Sequence, residues 1–364
     1  MNNKIKVLYL VNSDTTTSIP LEVSKYMNTS DVELVIAAYY GSAVHPKDTD
    51  EIKVLNFGAG RINHFGAIWR FIKLLRNGKF DVIHLHHTFS ALIGAILSGL
   101  FGVAVVKTEH NDHRFYKFYQ HMMNAITLPL CDLLLCNSDN TRQSFNAWEK
   151  LTSIKKARVV YNGSDFSRID QHINSPSIID GKYNEEGVVF GCVGRLVQQK
   201  NYERLLKGFA TLEGNSTLVV IGGGVQERYL RELVCSFGLE GSVILTGSIP
   251  REEVYAILGK LDVFVIASLW EGFCNAAVEG MSAYKPILLS DISTLREVVG
   301  DHALGYFDPL SVDSISEALN KTIQQGKVNL KKTGKATAVY ARGKYSIEKT
   351  AMSYIDAYKE VTNK

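Results

Sequence analysis

Short apolar runs recur along the first half of the chain, each followed by a stretch with polar residues or helical spacing: IKVLYLV, VELVIAAY, DVIHLHH, VAVVKTEH, LLLCNS and RVVYNGS. Alternation of this kind predicts strand and helix in turn, and so a parallel sheet covered on both faces. After a polar interval, DQHINSPSIIDGKYNEEG over residues 170–187, the rhythm restarts with VVFGCVG, STLVVIGGG, SVILTGS, DVFVIAS and PILLSD. The expectation is an α/β protein with two doubly wound, Rossmann-like domains over residues 1–168 and 188–346, joined by a linker over 169–187. The tail offers Tyr345, Ile347, Met352, Ile355 and Tyr358 for one apolar face, which suits a terminal helix over about 347–364 that returns to the first domain. Ligands of open parallel sheets bind outside the carboxyl ends of the strands, so functional residues are expected just after strands, in a cleft between two facing domains.

One apolar stretch tests this picture. Thr88 to Val106 carries no charge and approaches the roughly 20 residues that span a bilayer. Ser98, Gly99 and Gly102 break it into a helix followed by a β-branched strand, and it is read as buried α/β core. At the N-terminus, the apolar run Val7 to Val11 is shorter than a signal-peptide core and is read as the first strand, so a cytoplasmic protein is expected.

Composition narrows the function classes. With 364 residues, 46% of them hydrophobic and 21% charged, the chain is globular and long enough for two cores. A formal net charge of +3 is too small for a nucleic-acid binder acting through bulk charge. The excess is uneven: residues 1–165 hold 18 Lys and Arg against 14 Asp and Glu, leaving 22 against 23 in the remainder. Cys131, Cys136, Cys192, Cys235 and Cys274 are scattered, with no Cys-x-x-Cys pair, and are read as free thiols in a reducing compartment.

Three segments could carry chemistry. In SLWEGFCNAAVEGMSAYKP, over residues 268–286, a strand ends at Ser268 and a helix is expected to begin near Asn275 or Ala276 and to end before Pro286. Free N–H groups at such a helix start suit a phosphate or a sugar oxygen, and Glu271 and Glu279 are acceptors for hydroxyls. Equally, carboxylates near a helix start stabilise the helix itself, by about 0.3–1 kcal/mol. Arg195 and Lys200, directly after VVFGCVG, can converge on a diphosphate or form a solvated basic loop. Gly222, Gly223 and Gly224 after STLVVI permit close approach of backbone to a ligand, or are only a turn.

The first half is rich in histidine. His110 follows the strand VAVVKTE and is placed to hydrogen-bond a reacting sugar or acceptor, while His84 is read as a structural strand residue. Asp48, Thr49 and Asp50 resemble a divalent-ion pair but sit in a polar loop remote from the other motifs, so no metal site is assigned.

Together these residues resemble the family-4 retaining glycosyltransferases. Glu271 and Glu279 with seven residues between them, EGFCNAAVEGMSAYKPILLSD, Gly194-Arg195-Leu196 followed by Lys200 and Asn201, and YNGSDF over residues 161–166 carry the likeness. DVIHLHH, KTEH, LLLCNS and YSIEKTAMSYIDAY extend it over most of the chain. The resemblance implies the GT-B fold and transfer of a sugar from a nucleotide-diphosphate sugar, a UDP-sugar foremost, to a glycan or lipid-linked acceptor in cell-surface polysaccharide synthesis, with retention of anomeric configuration. It implies that Arg195 and Lys200 neutralise the diphosphate as the glycosidic bond breaks and that Glu279 binds the ribose hydroxyls. Glu271, with the backbone amides of Phe273, Cys274, Asn275 and Ala276, would hold the donor sugar and phosphate, with Gly223 beside them and His110 near the sugar and acceptor. No metal and no further cofactor would be required, since fixed cations and amides stabilise the leaving group.

This sequence departs from the family pattern where a Gly-Gly pair commonly follows the first strand: Asn12 to Glu22 holds none, and Gly280 stands where Ala is usual. Other roles compatible with the fold are a catalytically silent partner subunit of another transferase and a nucleotide-sugar epimerase. Aromatic and basic residues interleave over Trp69–Arg76 and Arg114–Tyr119, which predicts a peripheral contact with an anionic membrane on the cytoplasmic side.

Overall fold

A computed structural model describes residues 4–12, 19–29, 31–40, 54–60 and 64–363. Asp48, Asp50 and positions 13–18 of the atypical loop lie outside the described residues.

The chain divides into two compact units, residues 1–163 with 347–364, and residues 164–346. In the first, strands β1 (Ile5–Val11), β2 (Val32–Tyr40), β3 (Val54–Ala59), β4 (Val82–Leu85), β5 (Ala104–Glu109), β6 (Leu133–Cys136) and β7 (Ala157–Val159) form one sheet in the order β3-β2-β1-β4-β5-β6-β7. In the second, β8 (Val189–Val193), β9 (Thr217–Ile221), β10 (Val243–Leu245), β11 (Val263–Ile266), β12 (Ile287–Ser290) and β13 (Gly305–Phe307) run β10-β9-β8-β11-β12-β13. Every strand pairing in both sheets is parallel, and in each the order reverses once, between β1 and β4 and between β8 and β11. These are the doubly wound sheets expected, and structural neighbours described below identify the whole as the GT-B fold.

A central parallel strand is buried on both faces, which is why β1 reads as a continuous run: Val7 to Val11 are each at most 1% exposed. Register is pinned at the strand starts by a repeated device. The carboxylates of Asp81, Asp132 and Asp262, each immediately before a strand, accept the backbone N–H of Lys6 (2.7 Å), Val105 (2.8 Å) and Val189 (2.9 Å) on the neighbouring strand.

In the first unit, α1 (Ile19–Ser24) covers one face of the sheet. On the other lie α2 (His64–Gly78), α3 (Thr88–Leu100), α4 (Phe118–Leu130), α5 (Asp139–Gln143) and α6 (Ala147–Ser153). The uncharged run from Thr88 is thus helix α3 and then strand β5, as the glycines predict. The second unit has α7 (Phe166–His172), α8 (Tyr202–Phe209), α9 (Glu227–Ser236), α10 (Arg251–Lys260), α11 (Asn275–Ser282), α12 (Ser293–Val299), α13 (Val312–Gln324) and α14 (Gly326–Lys344).

The segment 169–187, expected as a linker, belongs to the second unit. Asp165 caps α7 by accepting from the Arg168 N–H, Ile169 and Ile179 are buried, and Asp170 pairs with Arg342 of α14. Its polar surface disguised two buried isoleucines.

The last helix, α15 (Ile347–Thr362), returns to the first unit and packs beside α1 on the face opposite α2–α6. Tyr354 and Tyr358 reach the sheet, where Tyr358 Oη and Thr108 Oγ1 sit 2.6 and 2.7 Å from the two ring nitrogens of fully buried His84. His84 is therefore a satisfied core residue, and burial pushes its pKa well down. Of the tail residues assigned to one apolar face, Met352 is exposed, while Tyr345 lies in the second unit at the end of α14. Tyr358→Phe removes the partner of His84 Nδ1 and should cost the first unit about 1–3 kcal/mol, read as a lower urea midpoint for that unit with the second unit's transition unchanged.

Candidate active site

The three motifs of the second unit follow three adjacent strands. Gly194 to Asn201 follows β8, the glycine run follows β9, and Ser268 to Cys274 follows β11. Strands β8 and β11 flank the point where strand order reverses, so the basic segment and the glutamate loop emerge side by side at the carboxyl edge.

Glycine is required where the β8 and β9 turns meet. A Cβ on Gly224 would stand 2.6 Å from the carbonyl oxygen of Leu196, and one on Gly222, where φ is +132°, 2.1 Å from that of Gly194. Gly223 O accepts from Leu196 N at 2.9 Å, and a Cβ there would strike Ser248 Oγ. The glycine run therefore lets two backbone turns lie against each other, the close approach being of chain to chain.

Lys200 and Glu271 come together across the switch point. Lys200 Nζ lies 2.5 Å from Glu271 Oε1, which also accepts from Ser268 Oγ at 2.7 Å. Gln199 Nε2 donates to Trp270 O at 2.7 Å, and Thr294 Oγ1 to Glu271 O at 2.9 Å, so the loop is held from two sides. Burial opposes the charge on Lys200, but the Glu271 carboxylate outweighs it and the pKa is raised. The side of this pair is a small recess lined by Cys192, Val193, Tyr202 and Cys274. Arg195, five residues before Lys200, is exposed at the same strand end.

Helix α11 starts at Asn275, as expected, after a residue in an uncommon conformation. Cys274 is left-handed, with φ 75° and ψ 73°, a geometry that costs a non-glycine residue of order 1 kcal/mol or more. This turn brings the chain sharply from the Glu271 loop into the helix, so the amides of Asn275 and Ala276 head α11 within four or five residues of Glu271. Phe273 is buried against the Tyr345 ring, 5.6 Å between centroids, which anchors the turn from beneath. Burial pushes the Cys274 thiol up to about 12, so it is a packing residue and no nucleophile.

Glu279 lies about one turn into α11 and is 6% exposed. Its carboxylate forms an ion pair with Arg251, at the start of α10, whose Nε in turn donates to Tyr255 Oη at 2.9 Å. Sequence reading did not single out Arg251. It stands 28 residues from its partner, on a different helix, with no motif around it. A carboxylate so placed is oriented by the guanidinium.

His110, in the first unit, follows β5 on a loop tied to the β6 end by Asn137 Nδ2, which donates to His110 O at 2.9 Å. Its Nε2 lies 3.1 Å from His86 Nδ1. Burial, with His87 and Lys107 adding to it, lowers the His110 pKa to about 3, so at neutral pH the ring is an uncharged hydrogen-bonding group. Beneath this loop is a set of charges the sequence did not disclose. Lys107 Nζ pairs with Glu109 and donates to Asn124 Oδ1 at 3.0 Å, and His113 Nδ1 lies 3.0 Å from Glu149 Oε2 with Nε2 3.4 Å from Glu109. All four charged groups are at most 4% exposed in their side chains. Burial works against the His113 cation, but Glu109 and Glu149 prevail and hold its pKa at about 9.

Comparison with known proteins bears on the family and the fold. Residues 178–338 match the family model "Glycosyl transferases group 1", and residues 21–168 match "Glycosyltransferase Family 4". The two matches fall one on each unit and together support a group 1 glycosyltransferase. Among curated relatives, it is 27% identical over 67% of its length to the N-acetylgalactosamine-N,N'-diacetylbacillosaminyl-diphospho-undecaprenol 4-alpha-N-acetylgalactosaminyltransferase of Campylobacter jejuni, covering 65% of that protein. It is 28% identical over 71% of its length to the UDP-Gal:alpha-D-GlcNAc-diphosphoundecaprenol alpha-1,3-galactosyltransferase of Escherichia coli, covering 70% of it. The chain thus spans about two thirds of the length of the curated relatives it matches. The structure of Anabaena Alr3699/HepE in complex with UDP and glucose superposes with a TM-score of 0.81 at 16% identity, covering 98% of this chain and 100% of that one, a likeness of fold.

Two measurements test the site's electrostatics. Lys200→Met leaves the Glu271 carboxylate without its cation and should destabilise the second unit by roughly 3 kcal/mol, with most of that recovered in the double variant Lys200→Met, Glu271→Gln, as read by denaturant titration. In the first unit, His113 contributes stability that is fully present below its ordinary pKa of 6.5 and is lost as pH rises through about 9. The first unit's melting midpoint should therefore fall between pH 7 and 9, and the fall should flatten in Glu149→Gln; a His113 NMR titration centred near 6.5 would contradict this.

Proposed function

We propose that this group 1 glycosyltransferase moves a hexose from a UDP-sugar to a lipid-linked glycan acceptor, with retention of anomeric configuration, in the building of a cell-surface polysaccharide. The observation that carries the reading is the convergence, at the carboxyl edge of one sheet, of the Lys200–Glu271 pair with the start of α11. A sugar diphosphate leaves as an anion, and what accelerates its departure is positive charge fixed beforehand where the negative charge develops. Lys200, held by Glu271, supplies a point charge, Arg195 a mobile fork from the exposed side, and the amides of Phe273, Cys274, Asn275 and Ala276 the oriented dipoles.

In this reading Glu271 also accepts from the donor sugar's hydroxyls, and Gly223, in the turn after β9, lies beside the nucleotide. Glu279, aligned by Arg251, takes the ribose hydroxyls. The diphosphate is neutralised by side chains and amides, so transfer proceeds without a divalent ion or other cofactor. His110, uncharged at neutral pH, serves the sugar or acceptor as a hydrogen-bonding group and not as an acid. Retention follows if the acceptor hydroxyl attacks from the side the diphosphate leaves, the departing phosphate taking its proton. Support for the donor comes from the UDP complex of the Anabaena neighbour, and for the acceptor from the diphospho-undecaprenol substrates in the names of the Campylobacter and Escherichia relatives.

A thermal-shift panel of UDP-, GDP- and ADP-sugars tests the donor. At a hundredfold excess over Kd a ligand adds about 2.7 kcal/mol of stability. A shift selective for UDP-sugars is expected, lost in Glu279→Ala and in the double variant Arg195→Ala, Lys200→Ala. No shift with any nucleotide would sink the transferase reading and leave a silent subunit with the same fold.

A further inference from the structure

Helices α2, α3, α4 and α6 form one layer over the first unit's sheet, neighbour packing on neighbour. Their inward faces fill the core, with Phe71, Ala95 and Leu128 buried against the strands. Their outward faces are apolar as well. On α4 a stripe of four, Phe118, Met122, Ile126 and Leu130, recurs every fourth residue and faces solvent. The neighbours extend it: Phe65 is 88% exposed and Trp69 63% on α2, Leu100 76% at the end of α3, and Leu151 80% on α6. Single exposed apolar residues are ordinary, but each helix of a contiguous layer exposing at least one is a patch that needs a partner.

The charges on this layer have one sign. Helices α2, α3 and α4 contain no Asp or Glu, and the single carboxylate of α6, Glu149, is wholly buried on His113. Exposed cations edge the patch: Arg70, Lys73 and Arg76 on α2, Lys117 at the start of α4 and Lys150 on α6. The turn carboxylates Asp81 and Asp132 are engaged with backbone N–H groups of β1 and β5. The opposite face of the same sheet is different, for α15 carries Glu348, Asp356 and Glu360 among its cations. Trp69, with Lys73 Nζ 5.5 Å from its ring, and Trp148, whose Nε1 donates to Ala125 O at 3.3 Å, are amphipathic groups suited to a membrane interface.

We propose that the outer face of α2, α3, α4 and α6 docks on an anionic lipid bilayer, apolar side chains entering the headgroup boundary and the surrounding lysines and arginines meeting lipid phosphates. An apolar patch whose own helices carry no exposed carboxylate and which is edged by cations fits such a surface, whereas a protein partner of ordinary composition would present cations to it as often as anions. Among the described residues no helix is long and apolar enough to cross a membrane, and the contact proposed is a peripheral one. Within the Arg114–Tyr119 segment Asp112 binds the Arg114 guanidinium and Tyr116 is half-buried on Glu109, while Phe115, Lys117, Phe118 and Tyr119 are exposed.

The test uses the full chain, with neither donor nor acceptor present, so it fails or succeeds independently of the transferase reading. Co-sedimentation is measured with vesicles of equal parts phosphatidylglycerol and phosphatidylcholine, and with phosphatidylcholine alone. Binding to the anionic vesicles, weakened by salt, is expected for the native chain. Both Phe118→Ser with Leu151→Ser and Lys73→Glu with Arg76→Glu should reduce the bound fraction roughly tenfold or more. All four side chains are exposed, so melting midpoints should not move, and a circular-dichroism melt checks this. Absence of vesicle binding, or binding undiminished in both variants, overturns the proposal. So does a native dimer in light scattering that the Phe118→Ser, Leu151→Ser variant dissociates, which would give the face to a second copy of the chain.

Discussion

A doubly wound parallel sheet has one place where helices diverge to opposite faces, and there the strand ends are left uncovered. In the second unit that place lies between β8 and β11, and Arg195, Lys200, Glu271 and the start of α11 are delivered by the loops leaving those two strands. Two consequences follow for the chain. Turns must pack backbone to backbone at the edge, which fixes Gly222 and Gly224, and one must reverse sharply into a helix, which puts Cys274 in a left-handed conformation. Neither feature is explained by the core below. Both serve the edge.

Charge is managed in the same manner in both units. In each unit a buried lysine meets a carboxylate, Lys200 with Glu271 across two strand ends and Lys107 with Glu109 along one strand, and further donors complete the shell. Buried pairs of this kind add little net stability over apolar residues, yet removing one member is costly, so they act chiefly as constraints on geometry. In the second unit the constraint falls on the loop between β11 and α11. In the first it falls on the segment carrying His110, locked by Glu109 on one side and by Asn137 on the other.

How much of this was written in the sequence depends on range. The strands, the restart of the pattern after the polar interval, the split of the run from Thr88 into helix and strand, and the start of α11 at Asn275 are local facts, read from periodicity and glycine placement. So was the return of α15 to the first unit, although Met352 was assigned inward and points outward. What escaped was long-range pairing. Arg251 finds Glu279 through the packing of two helices, and Glu149 finds His113 across 36 residues. The segment 169–187 misled because composition reports the many polar residues and not the buried Ile169 and Ile179. The apolar outer faces of α3 and α4 escaped for a related reason: an apolar helix reads as core until its neighbours are known.

The path of the chain has its own consequence. Unit two is a single stretch, 164–346, entered and left at neighbouring points, since Ser164 and Ser346 form a bridge and Ser164 N donates to Tyr345 O at 2.9 Å. Unit one is discontinuous and lacks α15 until the final residues are made. During synthesis the second unit therefore has all its parts before the first, whose sheet waits with Tyr9, His84 and the β1–β4 face uncovered until Tyr354 and Tyr358 arrive. The order of completion is the reverse of the order of translation, and a chain truncated before Ile347 would emerge with one finished unit and one open sheet face.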